Sequence, residues 1–261
     1  MDWIEALILG IIQGLTEFLP VSSSGHLELG KQILGVEFAE DLTFTVVVHG
    51  ATVLSTIIIF WKTIVELVKD LFKFQWNEST QYIFKIAVSM IPVVIVGLLF
   101  KDEIESLFTG NILFVGIMLL ITAALLAFTY YAKEKQKDIS FKNSFVIGIA
   151  QALAVIPGIS RSGATIATGL YLGNKKENVA KFSFLMVLVP IIAANVMDLL
   201  DTDFAGNSTI SATPLIVGFI AAFASGLVAC KLMLNIVKRG KLIYFAIYCL
   251  IVGLIAIIFS F

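Results

Sequence analysis

Apolar runs that leave no face for water are the feature that most limits how this chain can fold. LLITAALLAF (119–128) and FLMVLVPIIAA (184–194) carry no polar stripe. A surface helix of a soluble protein keeps one polar face and a membrane β-strand alternates, so these segments belong to helices embedded in lipid. Composition agrees. Of the 261 residues, 59% are hydrophobic and 14% charged, against roughly 25% charged in a soluble domain. The sequence predicts an all-α polytopic membrane protein, residues 1–261 forming a single integral membrane domain.

The remaining composition mostly excludes. A net charge of −1, with no large basic patch, argues against a nucleic-acid partner. Cys230 and Cys249 sit inside apolar runs with neither zinc spacing nor a disulfide framework, and read as small packing residues. The start, MDWIEALILG, carries Asp2 and Glu5 where a signal peptide needs a basic flank, so it is expected to be retained.

Six segments have the length of full spans, about 42–60, 82–100, 111–131, 180–200, 213–237 and 242–260, each near the ~20 residues that cross a hydrocarbon core. Two others, 4–34 and 143–173, are broken in the middle by PVSSSG (20–25) and PGISRSG (157–163). Their halves are too short to span, which predicts two re-entrant helix–break–helix pairs. Broken backbone at membrane depth survives only where protein or a wet cavity satisfies it. With both pairs re-entrant, the loops on the 61–81 side hold thirteen Lys and Arg against two on the other side. That bias puts 61–81 in the cytoplasm. The run KEKQKD (133–138) marks the same side, and 62–76, with Trp61, Trp76, Lys62, Lys69 and Lys73, reads as interfacial anchoring. Lys85 and Lys231 read as snorkelling or near-interface residues.

The two broken segments also match each other. At an offset of 138, Gly10, Gln13, Leu15, Ser22, Ser24 and Gly25 fall on Gly148, Gln151, Leu153, Ser160, Ser162 and Gly163, and Phe44 falls on Phe182. Repeat one, about 4–131, and repeat two, about 143–260, each hold one re-entrant pair and three spans. Three is odd, so the second copy is inverted. Inverted repeats with broken helices place a site near the midplane, where the breaks meet.

Ser22 and Ser160 each stand where a serine caps a new helix. Two helix starts facing each other direct unpaired N–H groups and positive dipole ends at one point. Gly25 and Gly163 allow close backbone approach, and Arg161 offers a planar charged fork for phosphate oxygens. The inference is a buried site for a phosphate-like anion on an amphiphilic molecule that arrives from the bilayer. Glu17 beside phosphate calls for a bridging divalent cation, Mg²⁺ first. His26 can act as general acid/base or nucleophile, and Ser23 as nucleophile or hydrogen-bond donor. Ser24 and Ser162 read as hydrogen-bond donors. Each residue also has a plainer reading: Ser22 and Ser160 as caps only, Arg161 as a clamp on backbone carbonyls, Glu17 as a cap for the second break. His49, inside span 42–60, reads first as a packed, hydrogen-bonded histidine, although any ionisable group within the membrane is a functional candidate.

GLTEFLPVSSSGH (14–26) and PGISRSGAT (157–165) resemble the motifs of the bacterial undecaprenyl-diphosphate phosphatases associated with bacitracin resistance, and the likeness covers essentially the whole chain. The resemblance implies hydrolysis of the isoprenyl diphosphate to its monophosphate with a divalent cation, Mg²⁺ first and Ca²⁺ as the alternative. It implies recycling of the carrier lipid for peptidoglycan synthesis, a place in the cytoplasmic membrane with the site open to the outer face, and a homodimer. Gln13 and Glu17 match the family's (Glu/Gln)-x-x-x-Glu motif. Some members carry glutamate where this chain has Gln13, which leaves Glu17 to hold the metal or position water. Glu28 lies outside that motif and is expected to pair with Lys31. The resemblance leaves the nucleophile open between Ser23, His26 and water. The rival function is a flippase for a phosphorylated isoprenoid lipid, since broken helices in inverted repeats also build transporters.

Overall fold

The structure, a computed structural model, describes residues 1–36, 41–107, 110–132, 135–200 and 210–260. The expected outer loop 201–212 and the basic run 133–138 fall partly outside them. The described residues form α1 (Trp3–Phe18), α2 (Ser23–Leu34), α3 (Asp41–Ile59), α4 (Trp61–Leu71), α5 (Glu78–Leu99), the short α6 (Lys101–Glu105) and α7 (Ile112–Phe128). The second half continues with α8 (Phe141–Leu153), α9 (Arg161–Tyr171), α10 (Lys176–Met186), α11 (Leu188–Leu200), α12 (Ala212–Lys238) and α13 (Ile243–Ile258).

Among the described residues, four runs are long and apolar enough to cross a membrane: 78–99, 112–131, 176–197 and 212–238. This is a multi-pass, all-α membrane protein. Helices α10 and α11 together make one of these spans, interrupted only at Val187. Pro190 explains the interruption, because it has no N–H to donate to the carbonyl four residues earlier. The two remaining expected spans differ in shape. Helix α3 bends by 76° into α4, which buries none of its residues and carries Lys62 and Lys69 on its exposed side. Helix α13 has 16 residues, about 24 Å of rise, less than the ~30 Å of a hydrocarbon core.

Each broken segment folds as a hairpin. Leu19 precedes Pro20 and is extended, as a residue before proline prefers, so α1 stops there. Helix α2 then returns along α1, with Gly30 against the side chains of Leu9 and Ile12. In the second hairpin the two ends are joined directly. Asn143 Nδ2 donates to Asn174 Oδ1 at 2.9 Å, and the Lys137 N–H donates to the Gly173 carbonyl at 3.2 Å. Asp2 and Glu5 have a local role: they form a reciprocal capping box at the start of α1.

The hairpins exchange partners across the molecule. Helix α1 lies along α12, α8 lies along α5, and α7 pairs with α13. Small residues let the backbones touch. A methyl group on Gly10 would stand 2.5 Å from the Gly218 carbonyl oxygen, and Gly148 abuts the Ser89 carbonyl. Phe18 at the end of α1 packs edge-on against Phe184 at 5.7 Å, and Phe60 joins the same cluster. This apolar cluster fixes the end of α1 at the level of the break.

Gly14 sits against Ala222 and Ser225 of α12. Gly14→Leu is expected to force α1 away from α12 at a cost of about 1–3 kcal/mol. A thermal unfolding midpoint several degrees lower in detergent would register it, while an unchanged midpoint would mean the seam is loose.

Candidate active site

The two breaks touch. The Ser162 hydroxyl donates to the Leu19 carbonyl at 3.2 Å. A Cβ on Gly163 would lie 3.3 Å from Pro20 Cβ, and one on Gly25 would lie 3.2 Å from Gly158 Cα. A side chain at either glycine would crowd the junction of the breaks. Thr122 of α7 holds the second break from behind, accepting from the Ser160 N–H at 3.0 Å and donating to the Gly158 carbonyl at 3.3 Å.

Both breaks are built by the same local bonds. Ser22 Oγ accepts from the Gly25 N–H at 3.2 Å, and Ser160 Oγ accepts from the Gly163 N–H at 3.1 Å. Ser22 also meets Ser24, and Ser160 meets Ser162, each pair of hydroxyls 3.3 Å apart. Ser22 and Ser160 are thus N-caps of α2 and α9, as their position in the sequence predicts. Ser22 holds φ at +71°, a conformation that costs a residue with a side chain about 1–3 kcal/mol and that the surrounding bonds must sustain. Caps satisfy one N–H of a helix start. The others, in the first turns beginning at Ser23 and Arg161, have no partner within their own helix.

Glu17 is the hub. It leaves the last turn of α1 and meets four side chains from four elements. Arg161, first residue of α9, forms an ion pair with Oε1. Ser23, first residue of α2, donates its hydroxyl to Oε2 at 2.7 Å. Gln13, one turn earlier on α1, donates to Oε2 at 3.0 Å. His49 of α3 places Nε2 3.9 Å from Oε2. The Glu17 side chain is 4% exposed and that of Arg161 20%, so the pair is largely removed from water.

These groups open onto a cavity of about 400 Å³, lined on its polar side by Glu17, Ser23, Ser24, His49 and Arg161. Its other walls are mostly apolar, among them Val46, Val93, Val187 and Ile191, with Thr45, Gln151 and Asn195 interspersed. A charged pole in an apolar chamber suits an amphiphile.

Of the residues singled out in the sequence, Glu17, Ser23, Ser24 and Arg161 therefore line one cavity. Gln13 stands behind Glu17, and Ser22, Gly25, Ser160, Ser162 and Gly163 form the junction of the breaks. His26 is directed elsewhere. Its Nδ1 donates to the Ser22 carbonyl at 2.8 Å, which leaves Nε2 to accept from the Tyr248 hydroxyl at 2.9 Å. The rings of His26 and Tyr248 stack at 5.5 Å, and His26 does not line the cavity. His49 does, and it stands beside Glu17, although in sequence it reads first as a packed histidine. The signal available was an ionisable group in an otherwise apolar span.

The donor chemistry fits a hard divalent cation. Glu17 supplies a carboxylate, and the buried Oε1 of Gln13 has no hydrogen-bond partner. Among the described residues no three His, Cys, Asp or Glu side chains cluster. Such a cation would draw its other ligands from water or from substrate phosphate, the usual habit of Mg²⁺.

The Glu17–Arg161 pair is expected to couple the hairpins energetically. Removing one partner leaves a buried charge, at a cost of about 3–5 kcal/mol. Glu17→Gln and Arg161→Met should each lower the thermal midpoint in detergent, and the double variant should lose less than the two single losses combined. Strictly additive losses would mean that the pair contributes nothing to stability.

Comparison with known proteins places this arrangement. Residues 6–255 match the family model of the bacitracin resistance protein BacA. A protein of Parabacteroides distasonis named undecaprenyl-diphosphatase is 59% identical, covering 98% of both chains. One of the same name from Bacteroides fragilis is 58% identical over 100% of this chain and 99% of its own. A third so named, from Methanosphaera stadtmanae, is 41% identical over 100% of this chain and 99% of its own. Two broken hairpins that meet at Glu17 and Arg161 are thus the centre of a chain that belongs to the bacitracin resistance protein BacA family.

Proposed function

We propose that this chain is an undecaprenyl-diphosphate phosphatase: it hydrolyses undecaprenyl diphosphate to undecaprenyl phosphate and inorganic phosphate, returning the carrier lipid to peptidoglycan synthesis. The observation that carries this reading is the cluster of Glu17, Ser23 and Arg161 at two facing helix starts, on the polar side of an apolar cavity. The name borne by its full-length relatives supports the same reading.

The chemistry follows from the residues. The isoprenyl chain lies along the apolar wall and the diphosphate occupies the polar end. There the Arg161 fork turns from Glu17 to the phosphate oxygens, joined by first-turn N–H groups of α2 and α9. Ser23 Oγ attacks the terminal phosphorus, and its proton passes to Glu17, already its hydrogen-bond partner. The bond from that phosphorus to the bridging oxygen breaks, and undecaprenyl phosphate leaves with the electron pair. Water then cleaves the phosphoserine and restores Ser23. A serine bonded to a neighbouring base is the usual form of an activated nucleophile. Stabilising phosphoryl transfer is chiefly a matter of positioning and charge. A divalent cation held by Glu17 and Gln13 would supply further neutralisation of the diphosphate. His26 is a positioning residue in this scheme, since it holds the Ser22 carbonyl and so the shape of the first break.

The charge asymmetry of the loops supports an orientation with 61–81 in the cytoplasm. In that orientation the first hairpin enters from outside and the second from inside, and the cavity of a cytoplasmic-membrane enzyme opens to the outer face.

Purified protein in detergent has no membrane to cross, so phosphate release there separates an enzyme from a pure flippase. The wild-type chain is expected to release phosphate from the diphosphate lipid. Glu17→Ala, Ser23→Ala and Arg161→Ala should each lower turnover by about 10²–10³ or more while still inserting and folding. Lipid transport without phosphate release in detergent would overturn the reading.

A further inference from the structure

His49 has a geometry of its own. Its Nδ1 lies 2.8 Å from the Thr45 carbonyl one turn earlier in α3. A carbonyl only accepts, so the proton of the neutral ring is on Nδ1 and Nε2 carries the lone pair. That lone pair stands 3.9 Å from Glu17 Oε2, beyond hydrogen-bond reach, and both residues line the cavity. Two acceptor atoms thus flank one point, and Oε2 also accepts from Ser23 at 2.7 Å and from Gln13 at 3.0 Å, so an ion there takes the place of one of these donors. A divalent cation about 2.1 Å from each donor bridges separations up to about 4.2 Å, so the gap suits an ion with little adjustment. The backbone bond on Nδ1 is also the support a ligating histidine normally has, since it fixes the ring and the tautomer. The unpartnered, buried Oε1 of Gln13 belongs to the residue already bonded to Glu17 Oε2 at 3.0 Å.

We propose that His49 Nε2 is a direct ligand of the divalent cation, with the Glu17 carboxylate as its companion. The proposal rests on the phosphatase reading for its cation. Here a nitrogen donor would join a single carboxylate, because the residue one turn before Glu17 is the neutral Gln13. A mixed nitrogen and oxygen set shifts the preference from Mg²⁺ and Ca²⁺ toward Mn²⁺ and neighbouring transition ions.

The chain has two histidines, which makes the test clean. Tag-free protein in detergent is loaded with Mn²⁺ and examined by electron spin-echo envelope modulation, which detects nitrogen bonded to the ion. Nitrogen modulation is expected in the wild type and in His26→Gln, and is expected to vanish in His49→Gln. Glu17→Gln should lose bound Mn²⁺. Three results would each overturn the proposal: no Mn²⁺ bound at millimolar concentration, bound Mn²⁺ without nitrogen modulation, or modulation that survives His49→Gln. Phosphate release by the same wild-type sample reports separately on the function. If release persists while the nitrogen signal is missing, His49 is not a ligand and the phosphatase reading stands. If release is missing, the phosphatase reading itself fails.

Discussion

Backbone that leaves its helix in a lipid-embedded protein must find partners inside the protein. In this chain two such breaks satisfy that requirement on each other. Leu19 of one break accepts from Ser162 of the other, Thr122 supports the second from behind, and the Glu17–Arg161 pair joins them on the cavity side. Neither hairpin could hold its break alone in hydrocarbon. Their mutual contact is what the other helices are arranged to maintain: α12 along the first hairpin, α5 along the second, and α7 with α13 beside the junction.

The same contact creates reactivity. A helix start is electropositive and rich in N–H groups, and two starts meeting at one point make an anion site without further side chains. Arg161 and Glu17 neutralise each other there. In the proposed mechanism phosphate replaces the carboxylate at the guanidinium, which loads the site and releases Glu17 to act on Ser23. The strained φ of Ser22, +71°, lies in the turn that aims Ser23, so conformational cost is concentrated where a side chain must be held to a fixed direction.

Much of this was legible in the sequence, for physical reasons. Proline and glycine within an apolar run have few meanings, so the breaks at PVSSSG and PGISRSG announced themselves, and Ser22 and Ser160 occupy the cap positions that their spacing implied. The long apolar runs gave four spans with close bounds. The bend at Phe60 and the short α13 were not legible, because hydropathy reports how apolar a segment is and not where its axis turns. The orientation of the two histidines was hidden for a similar reason. His26 adjoins the motif in sequence, yet the helical phase of α2 turns it to Tyr248. His49 is 32 positions from Glu17 and reaches it only because α3 packs beside α1. Sequence proximity to a motif marks a neighbourhood. It does not say which side of a helix faces the cavity.

The central claim is that the junction of the breaks receives a lipid's diphosphate. The most direct measurement is an experimental structure with a non-hydrolysable isoprenyl diphosphonate bound. The account requires the terminal phosphonate between the first turns of α2 and α9, the Arg161 guanidinium bonded to it rather than to Glu17, and Ser23 Oγ aligned with the terminal phosphorus. A headgroup seated elsewhere, with the Glu17–Arg161 pair intact, would contradict it.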